Sequence, residues 1–504
     1  MRRIHQLLDR WVKADPHRAS VIDHDGRIVD FREFDLAVGE AVASLDQVDV
    51  RGGDRVLVVA ENSLALLAFL FAASRLDAWA IPVNARMSAG EIDRIAAHAS
   101  PRAMVFTHGA SKAAAAHGAR HGAEAIEGKA FGAAMLAGPC PAEPEPVCGA
   151  PEDQVAALLY TTGTTGDPKG VMLTHGNLLY ASGVSMQVRA LNETDHVIGA
   201  LPVTHIFALS SVFLAAVRAG ALIELHARFD PARIFAAMKN GASAMPAVPA
   251  MYPLLFNYAK ENHIQKPDLP RLRYLSSGGA PMDPDWKRRV ETFFGVTLHN
   301  GYGMTEASPG IATTQVDAAR DDISCGPALP GQEIKIAPAP GNDDLVDGVG
   351  EILVKGPNIM KGYYKNPAET ERVIDAEGYL HTGDLGCLSA DGSLSVVGRC
   401  KELIIRSGFN VYPPEVESAL NTHPAVTQAA IVGRRTADSN EDVLAFVQKV
   451  PGAEVDEATL MDYVKDRLAH YKCPSRIVIA DELPCASTGK VLKHKLIETF
   501  AAEI

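Results

Sequence analysis

Four polar groups in this sequence stand in surroundings that suit chemistry on a nucleotide. Lys169 closes the run Tyr160-Thr161-Thr162-Gly163-Thr164-Thr165-Gly166-Asp167-Pro168-Lys169-Gly170, which follows an apolar stretch at 155–159 that reads as a buried strand. Glycines let backbone N–H groups turn inward, threonines add hydroxyl donors and Lys169 adds a positive charge, so the loop suits a polyphosphate. It is not the common P-loop, because Gly170 and Val171 follow the lysine where that motif needs Ser or Thr at the start of a helix. Asn300-Gly301-Tyr302-Gly303-Met304-Thr305-Glu306 offers a flat ring between glycines for adenine and a Thr305 hydroxyl for an α-phosphate oxygen. Its Glu306 carboxylate suits Mg²⁺, a hard cation that prefers carboxylate, phosphate and water oxygens. Asp384, in His381-Thr382-Gly383-Asp384-Leu385-Gly386, reads as a carboxylate in a Gly-flanked turn whose two oxygens can accept from two ribose hydroxyls. Thr488-Gly489 reads as a mobile turn that can carry Lys490 into a cleft.

Alternating strand and helix patterns must position these groups. Residues 56–60 read as a buried strand, 64–75 as a helix, 80–83 and 104–106 as further strands, which implies layered α/β architecture. Ile4, Leu7, Leu8, Trp11 and Val12 share one helical face. Pro139, Pro141, Pro144, Pro146 and Pro151 mark a surface connection that cannot pack as helix or sheet. Residues 177–187 read as a helix, and Ala200-Leu201-Pro202-Val203-Thr204-His205-Ile206-Phe207 leads into an apolar helix through Val217. Tyr274-Leu275-Ser276-Ser277-Gly278-Gly279-Ala280-Pro281 is a strand running into a small-residue turn, sensible where ligands approach the backbone. Asp391-Gly392 reads as a plain hairpin turn. Beyond about residue 400 come strands at 429–432 and 444–447, a helix from about 460 to 470, and Pro414 in the first turn of another helix. No internal repeat or long low-complexity tract is evident.

Taken in order, these strings resemble the AMP-forming acyl- and aryl-CoA synthetases, the adenylating superfamily that also holds luciferases and peptide-synthetase adenylation domains. The resemblance extends through Val397-Gly398-Arg399-Cys400-Lys401 and Ser407-Gly408-Phe409 and covers essentially the whole chain. It implies an α/β protein with a large N-terminal domain of layered α/β sheets and a small β-barrel-like part at 1–398. A hinge at 399–401 and a small mobile α+β C-terminal domain at 402–504 would follow, the latter carrying a catalytic Lys490. ATP, Mg²⁺ and CoA are the implied cofactors. Thr161, Thr162, Gly163, Thr164, Thr165, Gly166 and Lys169 would hold the departing pyrophosphate. Gly278, Gly279 and Ala280 would lie along adenine and the acid, with Asn300, Gly301, Tyr302 and Gly303 beside the nucleotide. Asp384 and Arg399 would reach ribose, Lys401 would be the hinge, and Ser407, Gly408 and Phe409 would line the pantetheine channel. His205 would be a gate or wall between the ATP site and the acid tunnel. Lys490, Thr305 and the Mg²⁺ held by Glu306 would offset the repulsion between a carboxylate and an α-phosphate. No general base is needed, since the acid is ionised at pH 7. Pro484 and Gly489-Lys490 also resemble the frame of bacterial synthetases silenced by lysine acetylation, which makes a lysine acetyltransferase a candidate partner. Homodimers are common in the resembled family.

Bulk properties agree. The net charge of −13 over 504 residues argues against nucleic-acid or anionic-membrane binding. Seven Cys, scattered and odd in number, read as reduced cytosolic thiols, and the N-terminus lacks an apolar signal core, so a cytoplasmic protein is expected. Arg75 and Asp77 interrupt the most apolar region, which excludes a transmembrane helix there. The acid-pocket segments 207–217, 248–252 and 276–280 are apolar or small, which favours a medium- or long-chain fatty acid, with an aromatic acid second. Arg228 could meet a second carboxylate but reads as a solvated surface residue. Phe207-Ala208-Leu209-Ser210 lacks the carboxylate that would hold an amino acid, and the chain stops 14 residues past Lys490, without room for a carrier domain. An acyl-AMP ligase that serves a separate carrier protein stays open as the alternative. A non-enzymatic ATP sensor would be expected to have lost Lys490.

Overall fold

Apolar runs bounded by small and polar residues become the central strands of two eight-stranded sheets. The computed structural model describes residues 1–504 except 163–167, 280–281, 340–343, 346–347, 407–408, 437–440 and 486–490, and leaves out the Thr162 side chain. Two compact units result, Met1–Glu333 with Val354–Leu380, and Ile334–Leu353 with His381–Ile504.

In the larger unit one sheet runs Gly310–Thr313, Leu298–Gly303, Tyr274–Gly278, Ala244–Ala247, His196–Gly199, Leu222–Leu225, Ala19–Ile22, Ile28–Asp30. The other runs Gly362–Tyr363, Pro168–Thr174, Val155–Thr162, Trp79–Asn84, Arg55–Ala60, Ala103–Phe106, Gly132–Ala137, Glu124–Gly128. Central neighbours pair in parallel and edges pair antiparallel, so central strands are apolar on both faces; all six residues of Arg55–Ala60 are buried. The helix Leu64–Arg75 falls where the sequence puts it and is buried over its first eleven residues. A helix apolar all round belongs in a core: Phe71 meets Phe34 and Phe213 at 5.6 and 5.4 Å, and Phe69 meets Phe131 at 5.3 Å. Among the described residues no helix is long and apolar enough to cross a membrane.

Loops at the carboxyl ends of parallel strands are where open α/β sheets place ligands. Here Asn62, just past Arg55–Ala60, ties one such end to another. Its Nδ2 donates to the Gly199 and Leu201 carbonyls at 3.1 and 2.8 Å, and its Oδ1 accepts from Val203 N at 2.8 Å. That fixes the stretch leading to His205.

The proline-rich connection is a coil pinned by two arginines. Arg55, 2% exposed, donates to the carbonyls of Gly53, Ala99, Ser100 and Glu143, and Arg102 donates to those of Cys140 and Ala142.

The smaller unit contains most of a four-stranded sheet, Glu333–Ala337, Gly350–Lys355, Leu380–Leu388, Leu394–Arg399. A two-stranded ladder, Ile404–Arg406 with Phe409–Val411, and a three-stranded sheet, Val426–Arg435, Glu441–Lys449, Arg476–Ala480, complete its strands. Helix Glu457–Lys465 stops short of the expected 470 and runs on as a turn, in which Arg467 N and Leu468 N share the Val464 carbonyl. Asp384 is corrected from turn to strand: it lies within Leu380–Leu388, where an alternating small and polar run pairs antiparallel with Leu394–Arg399. Asp391-Gly392 is the turn between them, as expected.

Replacing Arg55 by Met strands four carbonyls in the larger unit. The expected cost is about 3 kcal/mol or more, read as a lower urea midpoint for that unit's unfolding transition; an unchanged midpoint would show that the connection does not depend on the arginine.

Candidate functional site

The glycine- and threonine-rich run joins two paired strands. Val155–Thr162 pairs antiparallel with Pro168–Thr174, Thr161 opposite Lys169 and Thr162 opposite Pro168. Gly163, Thr164, Thr165 and Gly166 lie outside the described residues. The far edge of Pro168–Thr174 takes up the short strand Gly362–Tyr363, Tyr363 opposite Val171. Lys169 Nζ therefore stands 5.2 Å from the Tyr363 ring centre, and it also pairs with the Glu369 carboxylate. Arg372 donates to both Glu369 oxygens at 2.7 and 2.6 Å. Arg372 first, then Lys169, holds the Glu369 carboxyl down to about 2.

Tyr363 links this cluster to Glu306, donating its hydroxyl to Oε1 at 2.8 Å. Burial, reinforced by the Glu306 charge, pushes the phenol's pKa upward, so it stays a donor. Glu306 is 8% exposed, and its backbone carbonyl accepts from Met360 N at 2.9 Å. Its Oε2 has no protein partner among the described residues, an arrangement that fits a carboxylate kept for a cation. Among those residues no group of three or more His, Cys, Asp or Glu could enclose a metal. A Mg²⁺ at Glu306 would thus complete its shell with phosphate and water oxygens.

Strands Tyr274–Gly278 and Leu298–Gly303 run parallel, with Ser277 opposite Asn300 and Gly278 opposite Gly301. Asn300 uses its own amide to hold this corner: Nδ2 donates to the Ile323 carbonyl at 2.8 Å and Oδ1 accepts from Gly301 N at 2.9 Å. Gly303 must be glycine, since an added Cβ would fall 2.1 Å from the Pro309 carbonyl oxygen. Tyr302 is half-buried between the glycines, and Thr305 opens the short turn Thr305–Ala307 that bears Glu306. Gly279 is exposed with a φ of +82°, and Ala280 lies outside the described residues. His205 is solvent-accessible yet flanked by protein, and the resulting desolvation lowers its pKa. Two residues on, Phe207 begins a π-helix, Phe207–Leu214, an unusual winding often found at functional sites. Its ring lies against Gly278, 3.7 Å from where a Cβ would stand.

The acid segments are apolar or small as expected, with Ala208, Leu209, Val212, Phe213 and Leu214 buried, and polar groups from outside them adjoin. The face of Tyr274–Gly278 that meets Phe207 also meets Arg189, Tyr274 and His299, polar groups contributed from three separated stretches. Arg228 lies largely exposed and ion-paired to Glu61 at 3.1 Å, which leaves it in the surface role expected.

In the smaller unit Asp384 and Arg399 are directly opposite across the strand pair, with Arg399 Nε 3.2 Å from Asp384 Oδ1. The two residues expected at ribose are thus neighbours. Phe409 is exposed and stacks on Tyr471 at 4.7 Å. Lys401 is exposed in the short turn Cys400–Glu402. Ser407, Gly408 and Lys490 lie outside the described residues.

Tyr363, Glu369, Asn62 and Arg189 escape a motif reading. Asn62 alone had a local signal, as part of a polar Glu61-Asn62-Ser63 triplet directly after a buried strand.

Comparison with known proteins agrees with this geometry. The AMP-binding enzyme model matches residues 8–364, and the AMP-binding enzyme C-terminal domain model matches 415–490. The chain is 33% identical to a feruloyl-CoA synthase of Amycolatopsis, covering 97% of this chain and 98% of that protein. It is 32% identical to 4-coumarate-CoA ligase 1 of Narcissus pseudonarcissus, covering 99% and 92%. ATP-bound MatB from Rhodopseudomonas palustris superposes with a TM-score of 0.85 at 30% identity, covering 98% and 99%. O-succinylbenzoate CoA synthetase from Bacillus subtilis, in complex with ATP and magnesium ion, gives 0.82 at 29% identity, covering 97% and 98%.

The Glu369 cluster carries a pH signature. A carboxyl lowered from 4.5 to about 2 contributes stability that is complete above pH 4.5 and lost as pH falls towards 2. Glu369→Gln should therefore melt below the parent at pH 6–7, and the gap should narrow below pH 4.5 and close only towards pH 2. A gap independent of pH would show that the ion pairs are not its source.

Proposed function

The chain belongs to the AMP-binding enzyme family, and on that premise we propose that the acid it activates is aromatic, a phenylpropenoic acid carrying ring oxygen. It is an AMP-forming acid–CoA ligase and uses ATP, Mg²⁺ and CoA. The acid class draws support from the feruloyl- and 4-coumarate-specific names of its relatives. The single structural observation that carries it is the Phe207 ring lying against Gly278, which sets an aromatic face beside the small-residue turn expected along the acid. A long alkyl chain would need an apolar continuation, and the strand face beyond Gly278 turns polar. The fatty-acid preference drawn from composition is accordingly set aside in favour of the aromatic reading.

Joining an acid carboxylate to an α-phosphate brings two anions together, so positioned positive charge and donors do most of the work. In the proposed reading Lys169 and the threonine loop hold the pyrophosphate, Thr305 donates to the α-phosphate, and Tyr302 faces adenine. Asp384 and Arg399 serve ribose. Glu306, oriented by Tyr363, holds Mg²⁺, which supplies charge neutralisation on the phosphates. His205, neutral near pH 7 and accessible, forms the wall between nucleotide and acid. Lys490 neutralises the first step, and Ser407, Gly408 and Phe409 guide the CoA thiol in the second, with 399–401 as the hinge.

Mass detection of CoA thioesters from pooled aromatic, fatty, dicarboxylic and amino acids tests the reading. An aromatic thioester is expected; only a fatty thioester would overturn the acid class, and acyl-AMP without thioester would point to a carrier-protein acceptor. Lys490→Ala should slow adenylation about 10²–10³-fold and leave thioester formation from pre-made acyl-AMP nearly unchanged; equal losses in both half-reactions would refute its assignment to the first. Tyr363→Phe should raise the Mg²⁺ concentration for half-maximal adenylation roughly 10-fold or more, whereas an unshifted Mg²⁺ curve would separate Tyr363 from the metal.

A further inference from the structure

Arg189 is 7% exposed and has no ion-pair partner among the described residues. It caps the helix His175–Val188. Its Nε donates to the Tyr274 hydroxyl at 3.2 Å, and Nη1 donates to the Ser211 carbonyl. A guanidinium has five donors, so those two bonds leave three. Nη2 has no protein partner among the described residues.

The guanidinium sits against the Phe207–Gly278 corner. Arg189 lies 5.8 Å from the Phe207 ring centre and 5.5 Å from that of Tyr274. Tyr274, Ser276 and Gly278 alternate onto one face of their strand, and Gly278 is the residue against which Phe207 packs. The run from Gly278 to Tyr274 spans about 13 Å at roughly 3.3 Å per residue. Tyr274 stacks on buried His299 at 5.0 Å, which closes the far end with flat polar rings. Between them the Ser276 hydroxyl, on a residue 5% exposed, has no partner. The acid near His299, Glu291, is taken by Lys287 at 2.8 Å and does not neutralise Arg189. A nearly buried cation with spare donors and no anion is costly unless an acceptor arrives.

We propose that Arg189 is a specificity-determining residue that receives an oxygen at the far end of the acid. The inference rests on the reading of this site as the acid pocket of a CoA ligase. The oxygen can belong to a ring hydroxyl or to a second carboxylate; the chemistry shared by both is an acceptor placed on Nη2. The relatives favour the ring hydroxyl. Sites built to bond a substrate oxygen discriminate strongly against the analogue that lacks it, because the buried donor is then left unpaired.

The test is adenylation kcat/KM for cinnamate, 4-hydroxycinnamate and 4-carboxycinnamate in the full-length enzyme, Arg189→Met and Arg189→Lys. The parent should prefer one oxygen-bearing acid over cinnamate by about tenfold or more. Arg189→Met should bring that ratio close to one, and Arg189→Lys should leave it in between. Which acid is preferred distinguishes hydroxyl from carboxylate. A ratio near one in the parent overturns the proposal without any variant, and so does a parent ratio that survives in a folded Arg189→Met. If that variant does not fold, the Lys variant and the parent ratio decide. If the parent takes octanoate and no phenyl acid, the aromatic reading fails on its own. Octanedioate against octanoate then puts the same question to Arg189, and a ratio near one overturns it.

Discussion

Strand Pro168–Thr174 is bonded along both edges, and the charged machinery of the larger unit depends on that double register. On one side Thr161 faces Lys169; on the other Tyr363 faces Val171, with Tyr364 N on the Gly170 carbonyl and Lys361 N on that of Met172. Lys169 and Val171 share a face because they are two residues apart, so the lysine must come over the Tyr363 ring. A slip of one residue would turn Lys169 to the opposite face. Backbone bonding thus decides where the side-chain charges meet.

From that register a single polar chain runs Arg372, Glu369, Lys169, Tyr363, Glu306. Each link fixes the next: Glu369 holds the lysine that the proposed pyrophosphate would claim, and Tyr363 occupies one Glu306 oxygen while leaving the other. Holding flexible, charged side chains before a ligand arrives removes much of the ordering cost from the reaction itself. The same logic applies to Asn62, whose three hydrogen bonds set the path towards His205.

The nucleotide side of this fold is legible in sequence because its parts are contiguous. Gly303 is dictated by a backbone contact six residues away, and the helix at 64–75 is dictated by an unbroken apolar run. Asp384 misled for a related reason: glycine neighbours suggest a turn, but here Gly383 adopts a positive φ inside a strand that bulges at Leu385 and Gly386. Pairing across the sheet, which no local pattern records, outweighed the local preference.

The polar groups around Phe207 are dispersed along the sequence. Arg189 ends a helix, Tyr274 and His299 sit on different strands, and each looks ordinary among its sequence neighbours. Only the parallel register that sets Ser276 beside His299 gathers them beneath Phe207. Arg189, Tyr274 and His299 all lie outside 207–217, 248–252 and 276–280, so the composition of those segments does not register them. Energetically the weighting is reversed. Each apolar wall contributes a modest, shape-tolerant burial term, whereas one nearly buried guanidinium without an anion sets a condition that a ligand must meet. Specificity is a difference between ligands, so the lone polar group, rather than the apolar majority, decides which acids differ.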